Sequence, residues 1–168
     1  MEAIGVSAEI IGVGLVESSI GIARVLMGKP PGVLLIGSCG AYAGCGLSIG
    51  DIVLGTRFLL AASRGELGPI PNEARPKSLP RRGRSAVVCS TLSITTDDEE
   101  AARLEKQSGA HVENLEAFAV ARACELAGVP FTAVLGVTNT VGKNGRAEWR
   151  ANAERVAELV IEVVKRSC

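Results

Sequence analysis

The chain has 168 residues, of which 47% are hydrophobic and 21% charged, enough apolar material for a buried core and too little charge for a mainly disordered polymer. Lys+Arg and Asp+Glu both total 18, so there is no global field to attract nucleic acid or an anionic membrane, and a small, fairly neutral ligand is the expected partner. The apolar runs are short, none near the roughly 18 residues that a membrane span needs.

Residues 1–20 lack a basic start, an apolar stretch and a cleavage site, so no secretory signal is read and a cytoplasmic location is expected. The five cysteines form no C-x-x-C pair and have no histidine at ligand spacing. They read as free thiols in a reducing compartment, and no metal or cofactor is expected. Cys39, in a glycine-rich turn, is a candidate nucleophile with His111 as the one available base; the alternative is a packing or backbone role.

In chain order, residues 8–13 read as a strand entering Gly12-Val13-Gly14, followed by a helix over 16–27 that Gly28 and Pro30-Pro31 end. Residues 33–36 are a continuous apolar run, as in a parallel strand buried on both faces. The run opens into Gly37-Ser38-Cys39-Gly40, where a ligand loop at a strand's carboxyl end is expected. A strand is expected over 51–60. Residues 63–85 hold four of the seven prolines with Arg75, Lys77, Arg81, Arg82 and Arg84, and read as a mobile, solvated loop rather than a phosphate site.

A strand is expected over 86–94. Thr96-Asp97-Asp98-Glu99 matches the capping box of a helix reaching about Gln107, which makes Asp97, Asp98, Glu99 and Glu100 first-turn acids rather than a metal cluster. A helix over 115–127 ends at Gly128, a strand follows over 131–138, and an amphipathic helix over 146–166 closes the chain. This alternation implies one α/β domain over 1–168, three-layered αβα around a mixed, largely parallel sheet.

Two polar residues interrupt apolar segments. Glu116 opens a helix among Leu, Ala, Phe and Val, where a carboxylate needs a partner or a ligand. Its two acceptor oxygens suit the adjacent hydroxyls of a ribose; pairing with Arg122 or a backbone amide is the alternative. Asn139 ends an apolar strand, and its amide matches the N7/O6 edge of a 6-oxopurine; an Asn turn leading to Gly142 is the alternative.

The ordered set of Gly12-Val13-Gly14, Ile36-Gly37-Ser38-Cys39-Gly40-Ala41, residues 47–53, Glu113-Asn114-Leu115-Glu116 and Gly136-Val137-Thr138-Asn139-Thr140-Val141-Gly142 resembles the nucleoside phosphorylase and nucleosidase superfamily. The Glu-Asn-hydrophobe-Glu motif, Asn139 and Trp149 are most similar to futalosine hydrolases, which release hypoxanthine from a menaquinone precursor. The resemblance implies a catalytic set of Ser38, Glu116 and Asn139. It places Gly14, Gly37, Cys39, Gly40, Asn114 and Thr138 around the substrate, Leu115 against the ribose, and Ile94 and Thr95 in the purine pocket.

The implied activity is a nucleoside N-ribosyl hydrolase for a 6-oxopurine nucleoside, because an Asn stands where adenine nucleosidases carry a proton-delivering Asp. A homo-oligomer is expected with it. The superfamily's usual first strand, with its turn acid, is expected to precede this chain's start. Leu35 and Leu135 stand where phosphorylases and methylthioadenosine hydrolases respectively place an Arg. Two alternatives follow: a catalytically reduced homologue that binds a nucleoside or partner subunit, and a purine nucleoside phosphorylase supplied with phosphate contacts by the 75–84 basic cluster.

Overall fold

The structure is a computed structural model that describes residues 8–62, 67, 71–78 and 83–166. Its elements are α1 (Gly14–Met27), β1 (Val33–Ala41), β2 (Ile52–Leu60), β3 (Glu73–Ala74), β4 (Arg84–Ser90), α2 (Asp98–Ser108), β5 (Val112–Glu113), α3 (Ala117–Ala127), β6 (Phe131–Thr140) and α4 (Gly145–Arg166).

The sheet runs β3-β2-β4-β5-β1-β6, and β2 also pairs with β6, so five strands close on themselves. The long pairings, β1 with β6 and β2 with β4, are parallel. Those of β5 with β1, β3 with β2 and β6 with β2 are short and antiparallel, which gives the mixed, largely parallel sheet expected. Along β6, Phe131, Ala133, Leu135 and Val137 join the main core with residues of α1 and α3. The alternating Val134 meets Val156 and Val160 of α4 on the opposite face. The sheet thus lies between helices, as a β6 apolar on both faces requires.

Several expected elements shift, each for a visible reason. Residues 8–13 carry no strand pairing; Ile11 crosses α1 so closely at Gly21 that a Cβ there would meet Ile11 backbone, and it packs on the core. The cap of α2 is Asp97 rather than Thr96: its Oδ1 accepts from Glu100 N at 2.9 Å. Strand β4 stops at Ser90, which leaves Ile94 and Thr95 in the connection to α2. The start expected at 115 for the next helix is instead strand β5 followed by a turn, with α3 beginning at Ala117.

The loop expected over 63–85 contains β3 and the start of β4, while 63–66, 68–70 and 79–82, with Arg81 and Arg82, lie outside the described residues. Arg75 pairs with Glu73, and Arg84 with Asp51 at 3.7 Å and with Gly46 O at 3.1 Å. Hydrogen bonds from Arg57 and then Arg75 hold the Glu73 carboxyl down to about 2.

Candidate functional site

The site forms at the carboxyl end of β1, where glycines let neighbouring side chains close in. In register, Gly40 pairs with Glu113 of β5 on one side and with Asn139 of β6 on the other. A Cβ at Gly40 would stand 2.7 Å from Asn139 Nδ2, so glycine is what admits the amide. Neighbouring strands lie about 4.8 Å apart, so Glu113, Gly40 and Asn139 form a row roughly 10 Å wide.

Asn114, just after β5, ties the parts together. Its Nδ2 donates to Ser38 O at 2.9 Å, and its Oδ1 accepts from Glu116 N at 3.0 Å and Ala117 N at 2.8 Å. It therefore does for α3 what a cap does, since the Glu116 side chain makes no capping bond. The half-buried Glu116 turns instead to α1, where its Oε1 accepts from Gly14 N at 2.7 Å. Of the partners weighed for Glu116, the backbone amide is the one observed. Arg122 bonds Glu125 at 2.6 Å. The positive end of α1 faces the carboxylate, and Glu116 Oε2 has no hydrogen-bond partner among the described residues.

Ser38 Oγ accepts from Trp149 Nε1 at 3.3 Å, which leaves the hydroxyl hydrogen for another acceptor. Gly37, Ser38 and Trp149 open onto an apolar cleft of about 300 Å³ between β1 and α4. Thr138 Oγ1 lies 3.2 Å from Cys39 O and 2.9 Å from Asn139 Oδ1. Asn139 Nδ2 donates to Thr140 O at 3.0 Å, leaving the amide's second N–H for another partner.

Ile94 and Thr95 line a separate cleft of about 510 Å³ beside the first turn of α2. Neither cleft is lined by Leu115, Glu116 or Asn139. The structure thus joins Gly14, Ser38, Asn114 and Glu116 through hydrogen bonds and sets Cys39, Gly40, Thr138 and Asn139 beside them, with Ile94 and Thr95 in a neighbouring cleft.

Cys39 is buried, donates through Sγ to Gly136 O at 3.6 Å, and burial pushes its thiol far up, so a thiolate nucleophile does not form. His111 Nδ1 accepts from Val87 N at 3.0 Å, so that ring nitrogen is engaged by β4. The packing alternative for Cys39 therefore holds. The acids at 97–100 form no cation cluster, nor does any other group among the described residues. Asp98 instead bonds Lys143 N at 3.0 Å and Lys143 Nζ at 2.9 Å, which holds its carboxyl below the usual range.

Two participants were not read as site residues from the sequence. Glu113, 7% exposed, accepts from Thr95 N at 3.1 Å, Thr95 Oγ1 at 2.6 Å and Tyr42 OH at 3.3 Å; burial pushes its carboxyl up, against those donors. Its place in the Glu113-Asn114-Leu115-Glu116 motif was the available signal. The Trp149 contact to Ser38 crosses 111 positions and leaves no local signature.

The profile of the Phosphorylase superfamily matches residues 73–168. Futalosine hydrolase of Thermus thermophilus is 29% identical over 161 residues, covering 83% of this chain and 71% of that protein. A mutant futalosine hydrolase of Helicobacter pylori superposes with a TM-score of 0.81 at 16% identity, over 92% of this chain and 76% of that one. The apo 5′-methylthioadenosine nucleosidase of Arabidopsis thaliana gives 0.80 at 21% identity, over 92% and 68%. These likenesses extend over the same sheet, and the matched profile takes in β5, α3, β6 and α4, with Asn114, Glu116 and Asn139: the chain belongs to the phosphorylase superfamily.

Proposed function

We propose that the chain is a nucleoside N-ribosyl hydrolase that cleaves a 6-oxopurine nucleoside such as futalosine and releases hypoxanthine. The observation that carries this reading is the Asn114 bridge, which fixes Ser38 and Glu116 in one network at the carboxyl end of β1. The similarity to a futalosine hydrolase supports it.

Glu116 Oε2 accepts from the ribose hydroxyls, with Leu115 packed against the sugar. The Ser38 hydroxyl, oriented by Trp149, and the Gly37, Cys39 and Gly40 backbone line the anomeric side, where water attacks an oxocarbenium-like centre. Asn139, its carbonyl held by Thr138, turns its remaining N–H to N7 of the departing base. Ile94 and Thr95 bound the base. An amide stabilises a leaving 6-oxopurine without protonating it, which disfavours adenine. Leu35 packs against the core and Leu135 is fully buried within it, so neither position supplies a cation for phosphate, and hydrolysis is favoured over phosphorolysis.

Incubation with inosine and futalosine is expected to release hypoxanthine without added phosphate, and Glu116→Ala to lower kcat/KM by about a hundredfold or more at unchanged fold. No release by the wild type, or release unaffected by the substitution, overturns the reading. The buried Leu135 favours a second one, a homologue that binds nucleoside without turnover; calorimetric binding without product is its signature. Strict phosphate dependence would indicate a phosphorylase.

Four free cysteines among the described residues favour a reducing, cytoplasmic setting. No described helix is long and apolar enough to cross a membrane. Ile10, Val13, Val16 and Ile20 are exposed around the start of α1, and a second copy of this chain is the proposed cover for that face.

A further inference from the structure

We propose that Glu113 is a positioning residue of the nucleoside site, which holds the Ile94–Thr95 wall of the base cleft in register with Ser38 and Glu116. The inference rests on the nucleoside reading above and names a residue which that reading leaves unused. Successive residues of a strand point to opposite sides. At the end of β5 this sends the Glu113 side chain to Thr95 and the Asn114 side chain to Ser38 and the start of α3. Two adjacent backbone units thereby link three separate segments that bear proposed substrate contacts.

The chemistry of the contact explains why the residue is an acid. Three donors converge on it, Thr95 N, Thr95 Oγ1 and Tyr42 OH, and Thr95 is itself only 4% exposed. A carboxylate presents acceptors alone, so both oxygens serve them; glutamine would turn an N–H₂ toward one set of donors. A buried carboxylate is costly to keep, and an apolar side chain would serve if the position only filled space. Thr95 has no place in a strand or helix, so this double contact is what holds it from the β5 side. Tyr42, 1% exposed, supports the acid from the core by donating its OH to the Oε2 that Thr95 Oγ1 also uses, and has no hydrogen bond to Thr95 among the described residues.

The test compares Glu113→Gln and Thr95→Val with Tyr42→Phe. Amide hydrogen exchange is read at residues 93–96, with hypoxanthine titrated by calorimetry and release from inosine and futalosine followed. Glu113→Gln is expected to speed exchange at Thr95 about tenfold or more and to weaken hypoxanthine binding by about tenfold, with KM raised more than kcat is lowered. Thr95→Val, which removes one donor from the other end, should shift binding in the same direction and less. Tyr42→Phe should leave both readouts within about twofold even where the thermal midpoint falls equally, which separates positioning from general stability.

Unchanged exchange in Glu113→Gln overturns the clamp. Faster exchange with unaltered hypoxanthine binding overturns its role in the site, as does an equal effect of Tyr42→Phe. A wild type that neither binds hypoxanthine nor releases it overturns the nucleoside reading and this role with it, while the exchange data still report whether Glu113 holds Thr95.

Discussion

Single residues at this site are constrained by what their neighbours leave open. Gly40 lies between Glu113 and Asn139, and the space above its Cα is filled by the Asn139 amide at 2.7 Å and Val141 Cγ2 at 2.9 Å. Gly40→Ala is therefore expected to displace Asn139 while leaving Glu116 on Gly14, costing about 1–3 kcal/mol of stability and a larger share of kcat than of ribose affinity. Paired measurements of the thermal midpoint and of kcat and KM check this; an unchanged kcat would show that Asn139 does not meet the base. Glu116 illustrates how little of a pairing sequence spacing conveys. Arg122 stands six positions along the chain, yet the partner is an amide 102 positions away. Asn139 was legible because an amide closing an apolar strand is conspicuous, whereas its two local hydrogen bonds accompany the register shift that leaves Thr138 as the extra residue between Val137 and Asn139.

Between elements, the loop after β6 is held by α2. Asp98 receives both the backbone N–H and the ammonium of Lys143, and Gly142, at φ 134, leaves room for its Oδ1. The Lys143 amide and then its side chain lower the Asp98 carboxyl in the folded state. A depressed carboxyl contributes stability above its unfolded value, near pH 4, and loses that contribution as pH falls through the folded value. Wild type and Asp98→Asn are expected to differ in thermal midpoint at neutral pH and to converge as the pH falls through the lowered Asp98 value. A constant offset across that range would mean that the charge does not matter to the link. The capping pattern at 96–99 located α2 to within a residue, because capping is local chemistry. The use of its second acid on a loop 45 residues away is not. Strand β5 escaped notice for a similar reason: two residues carry no periodicity, and only pairing with both β4 and β1 defines them.

Over the whole molecule, closure of five strands brings β1, β5 and β6 side by side and collects residues from 14 to 149 at one end of the sheet. The exposed Val13, Val16 and Ile20 follow helical spacing along α1. Light scattering is expected to give twice the chain mass, and Val16→Glu with Ile20→Lys to give a single chain of unaltered circular dichroism; a monomeric wild type would refute the paired copy. The loop expected at 37–40 is instead the continuation of strand β1. The sequence by itself determined the α/β class, the long strands and helices and the polar interruptions at Glu116 and Asn139. All of these arise from periodicity, caps and burial costs that act within a few residues. Only the tertiary structure decided that Glu116 meets Gly14, that Asn114 bridges Ser38 to α3 and that Glu113 grips Thr95. Each of those contacts depends on which strands become neighbours, and strand neighbourhood is set by packing of the entire sheet rather than by any local pattern.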